Sequence, residues 1–155
     1  MLTHDELIFC IQQEYPEAVH GTDFWVFHLV SPETSEQLSD AQIYEWKLAS
    51  PAPTEEGLKA LVQKHGAAAR TFVLARDARA ERERRLKVAD TLVYKAMDAG
   101  DMERMRLAGQ YRQALRDVTS LPGFPVEFAW PVIPDALSEL MPSNDQAAAA
   151  ETSGP

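Results

Sequence analysis

The stretch from Ala67 to Met97 contains neither proline nor glycine and is rich in alanine, arginine, glutamate and leucine. These residues are good helix formers, so the stretch predicts one long helix. Its first half, RDARAERERR, is highly charged, whereas its second half carries an apolar stripe at Leu86, Ala89, Val93 and Ala96. A helix with such a stripe needs another element to cover it, which limits the folds that this chain can adopt.

The residues after this stretch predict a second helix that turns back on the first. Gly100 ends the long helix and Asp101 caps the next one, a pattern typical of a tight helix–helix corner. Apolar residues then recur at spacings of three or four residues, at Met105, Ala108, Tyr111, Leu115 and Val118. The triplet Leu121-Pro122-Gly123 ends the second helix.

The N-terminal part predicts a helix followed by a strand. Residues 3–15 favour a helix, because Thr3 and Glu6 form a capping-box pair and a proline follows the segment. Residues 18–30 are dense in aromatic and β-branched residues, which predicts a strand. Both faces of that strand are apolar, so we expect it to be covered on both sides or to lie in a protein interface.

A return strand completes a predicted β-hairpin. Residues 31–40 are polar and turn-rich, and residues 41–48 follow with Ile43 and Glu45 on one face. The opposite face carries Tyr44, Trp46 and Leu48. A hairpin of this kind needs a helix or a further strand for stability.

The connector after the hairpin, SPAPTEEGL, has two spaced prolines and is expected to be extended. Thr54 caps a new helix whose first turn holds Glu55 and Glu56, where acidic residues are favourable. We expect this helix to run to about Lys64, because Gly66 is a typical helix stop.

The fold class that these elements predict is α+β: an N-terminal helix and a small antiparallel sheet, then a helical hairpin and an extended C-terminal strip rich in proline and aromatic residues. We expect four segments: a small α+β domain at 1–66, the helical hairpin at 67–120, the strip at 121–136 and a disordered tail at 137–155. Residues 143–155 are polar, alanine-rich and without aromatics, which favours disorder.

Charge is distributed unevenly along the chain, whose formal net charge is −9. Residues 1–69 carry three basic and eleven acidic side chains, a net charge of −8, whereas residues 70–116 carry twelve basic and seven acidic ones, a net charge of +5. Residues 117–155 have six acidic side chains and no basic one. This polarity predicts either internal charge pairing or a partner that recognises a polarised surface.

The sequence contains no recognisable catalytic or metal-binding set. Its four histidines form no HxxxH or HExxH pair, and no GxSxG, phosphate-loop or GxGxxG motif is present. Cys10, the single cysteine, lies in an apolar run and is expected to be a buried structural thiol. No apolar run approaches the roughly 18 residues of a membrane span, and the acidic N-terminus argues against a signal peptide. We therefore expect no catalytic residue, no metal, no cofactor and no membrane partner.

A basic run in the long helix, from Arg76 to Lys87, allows two interpretations. It could neutralise nucleic-acid phosphates, or it could be a solvated helix face on which interleaved carboxylates pair with arginines three or four residues away. The acidic segments on either side oppose phosphate binding, so we favour the solvated face and do not expect nucleic acid as a partner.

The strip at 121–136 also allows two interpretations. Prolines at 122, 125, 131 and 134 hold its backbone extended and remove hydrogen-bond donors. Phe124, Phe128 and Trp130 either fold back over the helical hairpin or offer a rigid apolar surface to another protein.

The motif YRQALRD at residues 111–117, followed by Phe124-Pro125 and Trp130-Pro131, is the most distinctive pattern in the chain. With Arg76-Asp77 and Asp90 before it, the pattern resembles the C-terminal module of the phage tail assembly chaperone family. That module has Arg-Asp near the start of a helix, an acidic residue, Tyr-Arg-x-Ala-Leu-Arg-Asp, a short spacer, Phe-Pro and Trp-Pro.

This chain departs from the family pattern after Asp90. Many members carry a tryptophan there, followed by a proline-containing loop, whereas this chain has Thr91-Leu92 in a helical context. The contacts that the tryptophan makes in those members are therefore not transferred to this chain.

The N-terminal part carries a second set of matching segments: EYPEAV at 14–19, Asp23-Phe24, residues 43–48 and the PAPTEEGL connector. These segments are similar to a small protein family encoded in the tail region of a Bacillus defective prophage. The two resemblances cover about residues 5–134, and both imply a non-enzymatic protein from the tail genes of a temperate phage or prophage.

The resemblance implies a phage tail or tail-fibre assembly chaperone that binds an unassembled tail component in the host cytoplasm. The residues that we expect to contact this partner are Trp25, Trp46, Tyr111, Phe124, Phe128 and Trp130, with Arg112 and Arg116 as polar anchors. One alternative is a structural tail, baseplate or fibre-associated component that stays in the virion. Another is a regulatory factor that binds host proteins or DNA.

Overall fold

A computed structural model describes residues 1–141. The backbone clusters into two compact units, Met1–Leu74 and a second unit that begins at Ala75. In chain order the elements are helix α1 (His4–Glu14), strand β1 (Phe24–Phe27), strand β2 (Gln42–Trp46), helix α2 (Glu55–Asp98) and helix α3 (Met102–Asp117). This order confirms the predicted α+β class. The separation into segments at residues 66 and 120 stays a prediction.

Helix α1 begins with the predicted capping box. The Glu6 amide donates to the Thr3 hydroxyl at 3.3 Å, and the Thr3 amide donates to the Glu6 carboxylate at 2.8 Å. Two of the amides that a helix start leaves unpaired are thereby satisfied. The helix buries one face, formed by Leu7, Cys10 and Ile11, against the core of the first unit.

Strands β1 and β2 form a two-stranded antiparallel sheet and are shorter than the predicted stretches 18–30 and 41–48. The pairing contains a β-bulge, because the two successive pairs across it are Trp25–Glu45 and Val26–Ile43. Tyr44 is the extra residue, so Ile43 and Trp46 both pack on the core although they are three residues apart. The predicted grouping of Ile43 with Glu45, and of Tyr44 with Trp46, was wrong because strict alternation does not hold across a bulge.

Helix α2 is continuous from Glu55 to Asp98. Its start is as predicted, since the Gly57 amide donates to the Thr54 hydroxyl at 3.1 Å. The predicted stop near Lys64 was wrong, because Gly66 is an ordinary helical residue within α2. A glycine inside a helix costs only about 1 kcal/mol relative to alanine, and the alanine-rich sequence around it favours the helix.

The corner between α2 and α3 follows the sequence prediction. Gly100 adopts the left-handed region, with φ of 65°, and the Asp101 side chain accepts a hydrogen bond from the Arg104 amide at 2.9 Å. Helix α3 buries Ala108, Tyr111 and Leu115. These three residues belong to the apolar stripe predicted from their spacing.

The C-terminal strip is followed by a folded segment. A short 3₁₀ helix spans Asp135–Leu140, and Leu137 in it is fully buried. Leu137 packs with Leu92 of α2 and Ala108 of α3. Residues 137–141, which the sequence assigned to a disordered tail, are therefore part of the folded chain, and the rest of that predicted tail lies outside the described residues.

Candidate docking surface

The three aromatic residues of the strip form a row in the second unit. The ring centroids of Phe124 and Phe128 lie 5.2 Å apart, and those of Phe128 and Trp130 lie 5.1 Å apart. All three side chains are half-buried. Tilted and edge-to-face contacts at these distances are favourable for aromatic pairs, so the row stiffens the strip.

Two arginines of α2 lie against this row. The guanidinium carbon of Arg79 is 5.9 Å from the centroid of the Phe124 ring, and that of Arg85 is 4.6 Å from the Trp130 ring. The two arginines are six residues apart on α2, and each contacts a different ring of the strip. Cation–π contacts of this kind contribute about 0.5–1 kcal/mol each at partly exposed sites.

The basic run of α2 also forms the carboxylate pairs that the sequence predicted. Glu81 forms ion pairs with Arg84 and Arg85, both at 2.8 Å, and also accepts a hydrogen bond from Arg85 Nε. The contacts of Arg79 and Arg85 with the strip were missed from the sequence. No local sequence signal marks these contacts, because Arg79 and Arg85 lie far along the chain from Phe124 and Trp130.

Trp130 also contacts the core of the second unit. It packs against a buried cluster of Ala89, Tyr111 and Leu115. Tyr111 is only 4% exposed, and burial raises the pKa of its hydroxyl while the nearby Arg85 guanidinium partly opposes this rise. The aromatic ring of Tyr111 therefore supports Trp130 from beneath and is not part of the accessible surface.

The two candidate arginines of α3 have different environments. Arg112 is half-buried, and its Nη1 lies 3.1 Å from the Oδ1 atom of Asp90 on α2. Arg116 is exposed in the last turn of α3. The Asp90–Arg112 pair joins the two helices of the hairpin, whereas Arg116 is accessible to a partner.

The outer side of the strip is uncovered in the second unit. Val126 is 64% exposed, Val132 is 80% exposed and Leu121 is at the edge of exposure with 36%. The strip is thus anchored through its aromatic rings and leaves aliphatic side chains in solvent. We call Leu121, Val126 and Val132, with the accessible parts of the three aromatic rings, the strip surface.

A tight turn positions the start of the strip. Gly123 has a φ of 82°, and its carbonyl accepts hydrogen bonds from the amides of Val126 and Glu127 at 2.9 and 2.8 Å. A Cβ atom at this position would lie 1.9 Å from the Glu127 carbonyl oxygen. Only glycine therefore allows this turn, which sets Phe124 against Arg79.

The remaining two candidates, Trp25 and Trp46, belong to the first unit. Trp46 is half-buried, lies 5.1 Å from the Tyr15 ring and donates its indole N–H to the Ser50 carbonyl at 2.7 Å. Trp25 is half-buried beneath the Lys47 ammonium, which lies 4.1 Å from its ring. Trp46 is thus a core residue of its unit, and Trp25 lies on the outer face of β1.

Cys10, the single cysteine, is buried on helix α1. Burial and the nearby Glu6 carboxylate raise the pKa of the Cys10 thiol, as expected for a structural cysteine. Within residues 1–141, His, Cys, Asp and Glu side chains form no group of three that could hold a metal ion. Over the same residues, no helix is both long enough and apolar enough to cross a membrane.

Two protein families match the chain, one in each part. Residues 75–135 match the family described as phage tail assembly chaperone protein, and residues 7–70 match the family described as XkdW protein. No curated protein and no solved structure matches the chain significantly. The family matches confirm the resemblance inferred from YRQALRD, Phe-Pro and Trp-Pro, and they support a role in phage tail assembly.

Proposed function

Given the match of residues 75–135 to the phage tail assembly chaperone family, we propose that this chain binds an unassembled phage tail or tail-fibre protein through the strip surface. The observation that supports the proposal is the exposure of Val126 and Val132 on a strip that is anchored from its other side. Large aliphatic side chains held in solvent by a rigid backbone are typical of a protein-binding site.

The anchoring lowers the entropy cost of binding. Prolines fix the strip backbone, and the contacts of Phe124 with Arg79 and of Trp130 with Arg85 hold its rings before a partner arrives. A partner then gains the apolar contact without having to order the strip. Covering one exposed valine contributes about 1.5 kcal/mol, which is roughly tenfold in affinity.

Two arginines of α3 are candidates for polar contacts that would orient a partner on the strip surface. Arg116 is exposed in the last turn of α3 and can donate to a carboxylate or carbonyl of the partner. Arg112 forms an ion pair with Asp90 that joins α2 and α3, so only its solvent-accessible part is free to contact a partner. The partner of this surface is therefore an apolar protein segment with an acceptor group beside it.

Binding of the chain would protect the unassembled tail subunit by mass action. A chaperone that binds the folded, unassembled subunit lowers the population that is free to aggregate. At a free chaperone concentration about a hundred times the dissociation constant, this stabilises the subunit by roughly 2.7 kcal/mol. Release would follow when the growing tail offers the subunit a larger interface.

Co-expression tests this function. Tail proteins encoded in the same genome are produced with and without the chain, and the soluble yield and co-purification of each are measured. We expect one of them to become more soluble and to co-purify with the chain. Failure of every tail protein to co-purify or to gain solubility would contradict the proposal.

Matched variants locate the contact. Val126→Asp with Val132→Asp places charge on the strip surface and should abolish co-purification. Met102→Asp is the control, because Met102 is 73% exposed in the same unit but lies at the start of α3, where an acidic residue is favourable. Equal loss of binding in both variants would show that the strip surface is not the contact.

The DNA-binding alternative is disfavoured by the same geometry. Arg76 and Arg82 each pair with the acidic residue that follows them, at 2.9 Å, and Arg84 and Arg85 pair with Glu81. Arg79 lies against Phe124. These arginines are partly neutralised or stacked, which leaves little net positive surface for phosphates.

A further inference from the structure

The outer face of the β-hairpin in the first unit is apolar and uncovered. Phe27 is 39% exposed and Tyr44 is 73% exposed, with their ring centroids 6.1 Å apart. Leu29 and Leu38 lie beyond the strand ends, are 59% and 60% exposed, and are joined by a hydrogen bond from the Leu38 amide to the Leu29 carbonyl at 2.7 Å. We call these four residues the hairpin face.

The hairpin face follows from how the sheet buries its other side. Phe24 and Val26 of β1 are buried in the core, so the residues that alternate with them, including Phe27, must point outward. On β2 the bulge turns Ile43 and Trp46 inward and leaves Tyr44 outward. The protein thus keeps large apolar side chains on the solvent side of a strand where polar residues would be usual.

The edges of the sheet are unsuited to pairing with an incoming strand. The Phe24 carbonyl accepts a hydrogen bond from the Gly21 amide at 2.9 Å, and the Val26 amide donates to Nε2 of His20 at 3.4 Å. These contacts engage backbone groups of β1 outside its pairing with β2. The bulge at Tyr44 distorts β2, and bulges are a known way of blocking strand addition. A partner would therefore contact the hairpin face through side chains.

Charge specifies the kind of partner. Residues 1–50 carry nine acidic side chains and a single basic one, Lys47. The ammonium of Lys47 is engaged, because it lies 3.3 Å from Glu45 and 4.1 Å from the Trp25 ring. Glu33 and Glu36 are exposed on the loop that joins the strands. An apolar face within so acidic a segment attracts cations and repels anionic surfaces.

We propose that the hairpin face is a second docking surface, which binds a cationic protein segment containing apolar side chains. Apolar residues of the partner would cover Phe27, Tyr44, Leu29 and Leu38. Its lysines or arginines would pair with exposed carboxylates of the hairpin loop, Glu33 and Glu36. The proposal is independent of the strip surface, because all of its residues belong to the first unit. The chain would then carry two docking surfaces, one in each unit.

Fluorescence anisotropy of the full chain with a labelled synthetic peptide tests this surface. The probe alternates lysine with leucine, and two control peptides replace either leucine with serine or lysine with glutamate. We expect binding of the probe alone, with an affinity that falls as salt is raised because the attraction is partly electrostatic. No binding of the probe, or equal binding of the serine peptide, would overturn the proposal.

Variants show whether the hairpin face is the contact. Phe27→Ser with Tyr44→Ser should weaken probe binding at least about tenfold, since both rings lose their apolar contact. Val19→Ser is the matched control, because Val19 is 54% exposed in the same unit but lies outside the face. Equal affinities for the two variants, each checked for folding by circular dichroism, would overturn the proposal.

Two further measurements test whether a second copy of the chain occupies the hairpin face and whether the probe binds the strip surface instead. Sedimentation of the chain alone should show a monomer. If the chain self-associates and Tyr44→Ser abolishes that self-association, a second copy occupies the hairpin face and the proposal fails. The Val126→Asp, Val132→Asp variant should bind the probe as the wild type does. Loss of probe binding in that variant would place the contact on the strip surface and overturn the proposal.

Discussion

The Arg85 guanidinium carbon lies 4.6 Å from the centroid of the Trp130 ring, while Arg85 Nε donates to Glu81 at 2.8 Å. A carboxylate on α2 thus orients the arginine, and the arginine in turn holds the tryptophan of the strip. Trp130 and Arg85 both approach the buried Tyr111. This relationship explains how a strip without regular hydrogen-bonded structure keeps a defined position on the helical hairpin.

A double-mutant cycle measures this contact. Arg85→Gln, Trp130→Leu and the double variant are unfolded with urea, and we expect a coupling free energy of about 1 kcal/mol from the lost cation–π contact. Arg84→Gln is the control for Arg85, because Arg84 also pairs with Glu81 and is 74% exposed. The Arg84–Trp130 cycle should be additive. An equal coupling free energy in both cycles would contradict a specific contact between Arg85 and Trp130.

Replacing Gly123 or Gly109 with alanine should change the free energy of unfolding in opposite directions. Gly123→Ala should lower the free energy of unfolding by at least about 2 kcal/mol, because of its positive φ and the carbonyl 1.9 Å from the added Cβ. Gly109→Ala on α3 meets no atom within 4 Å and should raise it by up to about 1 kcal/mol. Chemical unfolding of both variants checks this pair. An unchanged free energy of unfolding in Gly123→Ala would show that the turn has another geometry.

The continuity of α2 is tested at Gly66. A Cβ atom there would lie 3.5 Å from Cγ1 of Val62, an ordinary van der Waals contact, and the backbone is helical. Gly66→Ala should therefore raise the free energy of unfolding by about 0.5–1 kcal/mol. A helix that ended at Gly66 in a left-handed conformation would instead be destabilised by alanine. Thermal unfolding distinguishes the two results.

His4 makes the stability of the first unit depend on pH. The ring of His4 lies 5.2 Å from that of His20 and 5.7 Å from that of His28. Burial lowers the pKa of His4, the positive charge of His20 and then of His28 lowers it further, and Asp5 partly opposes these effects. The unfolded chain, in which the pKa is about 6.5, therefore takes up the proton first as the pH falls.

Stability should consequently be complete above about pH 6.5 and decline as the pH falls below that value toward the lower pKa of the folded state. Urea unfolding at about pH 7.5 and 5.5 measures the decline. His4→Gln removes the titrating group and should reduce the difference between the two conditions. An equal difference in His4→Gln would contradict this assignment.

The sequence predicted the elements whose signals are local. The capping box of Thr3 and Glu6, the cap at Asp101 and the helix stop at Gly100 depend on residues within one turn of each other, and each is present as predicted. The stripe through Ala108, Tyr111 and Leu115 is likewise a property of one helix. Such features do not depend on the rest of the fold.

The errors concern positions whose structure is decided by residues other than the one that carries the signal. Gly66 continues the helix because its alanine-rich neighbours outweigh a cost of about 1 kcal/mol, which no single position reveals. The bulge at Tyr44 is set by the need to bury both Ile43 and Trp46. Leu137 is buried only because the helical hairpin offers it a site between Leu92 and Ala108.

Of the candidate partner-binding residues, the aromatic row was predictable from the motif, whereas its arginine support was not. The pairing of Arg79 with Phe124 and of Arg85 with Trp130 joins segments that are far apart in sequence. The exposed valines of the strip surface carry no motif, because surface aliphatic residues are common in any sequence.

We propose that the chain binds a tail protein during assembly and then leaves it. Quantitative mass spectrometry of purified particles and of the lysate that produced them tests this most directly. We expect a complex of the chain with a tail protein in the lysate and far less than one copy of the chain per finished tail. A fixed whole number of copies in every tail would contradict it and would identify a structural component.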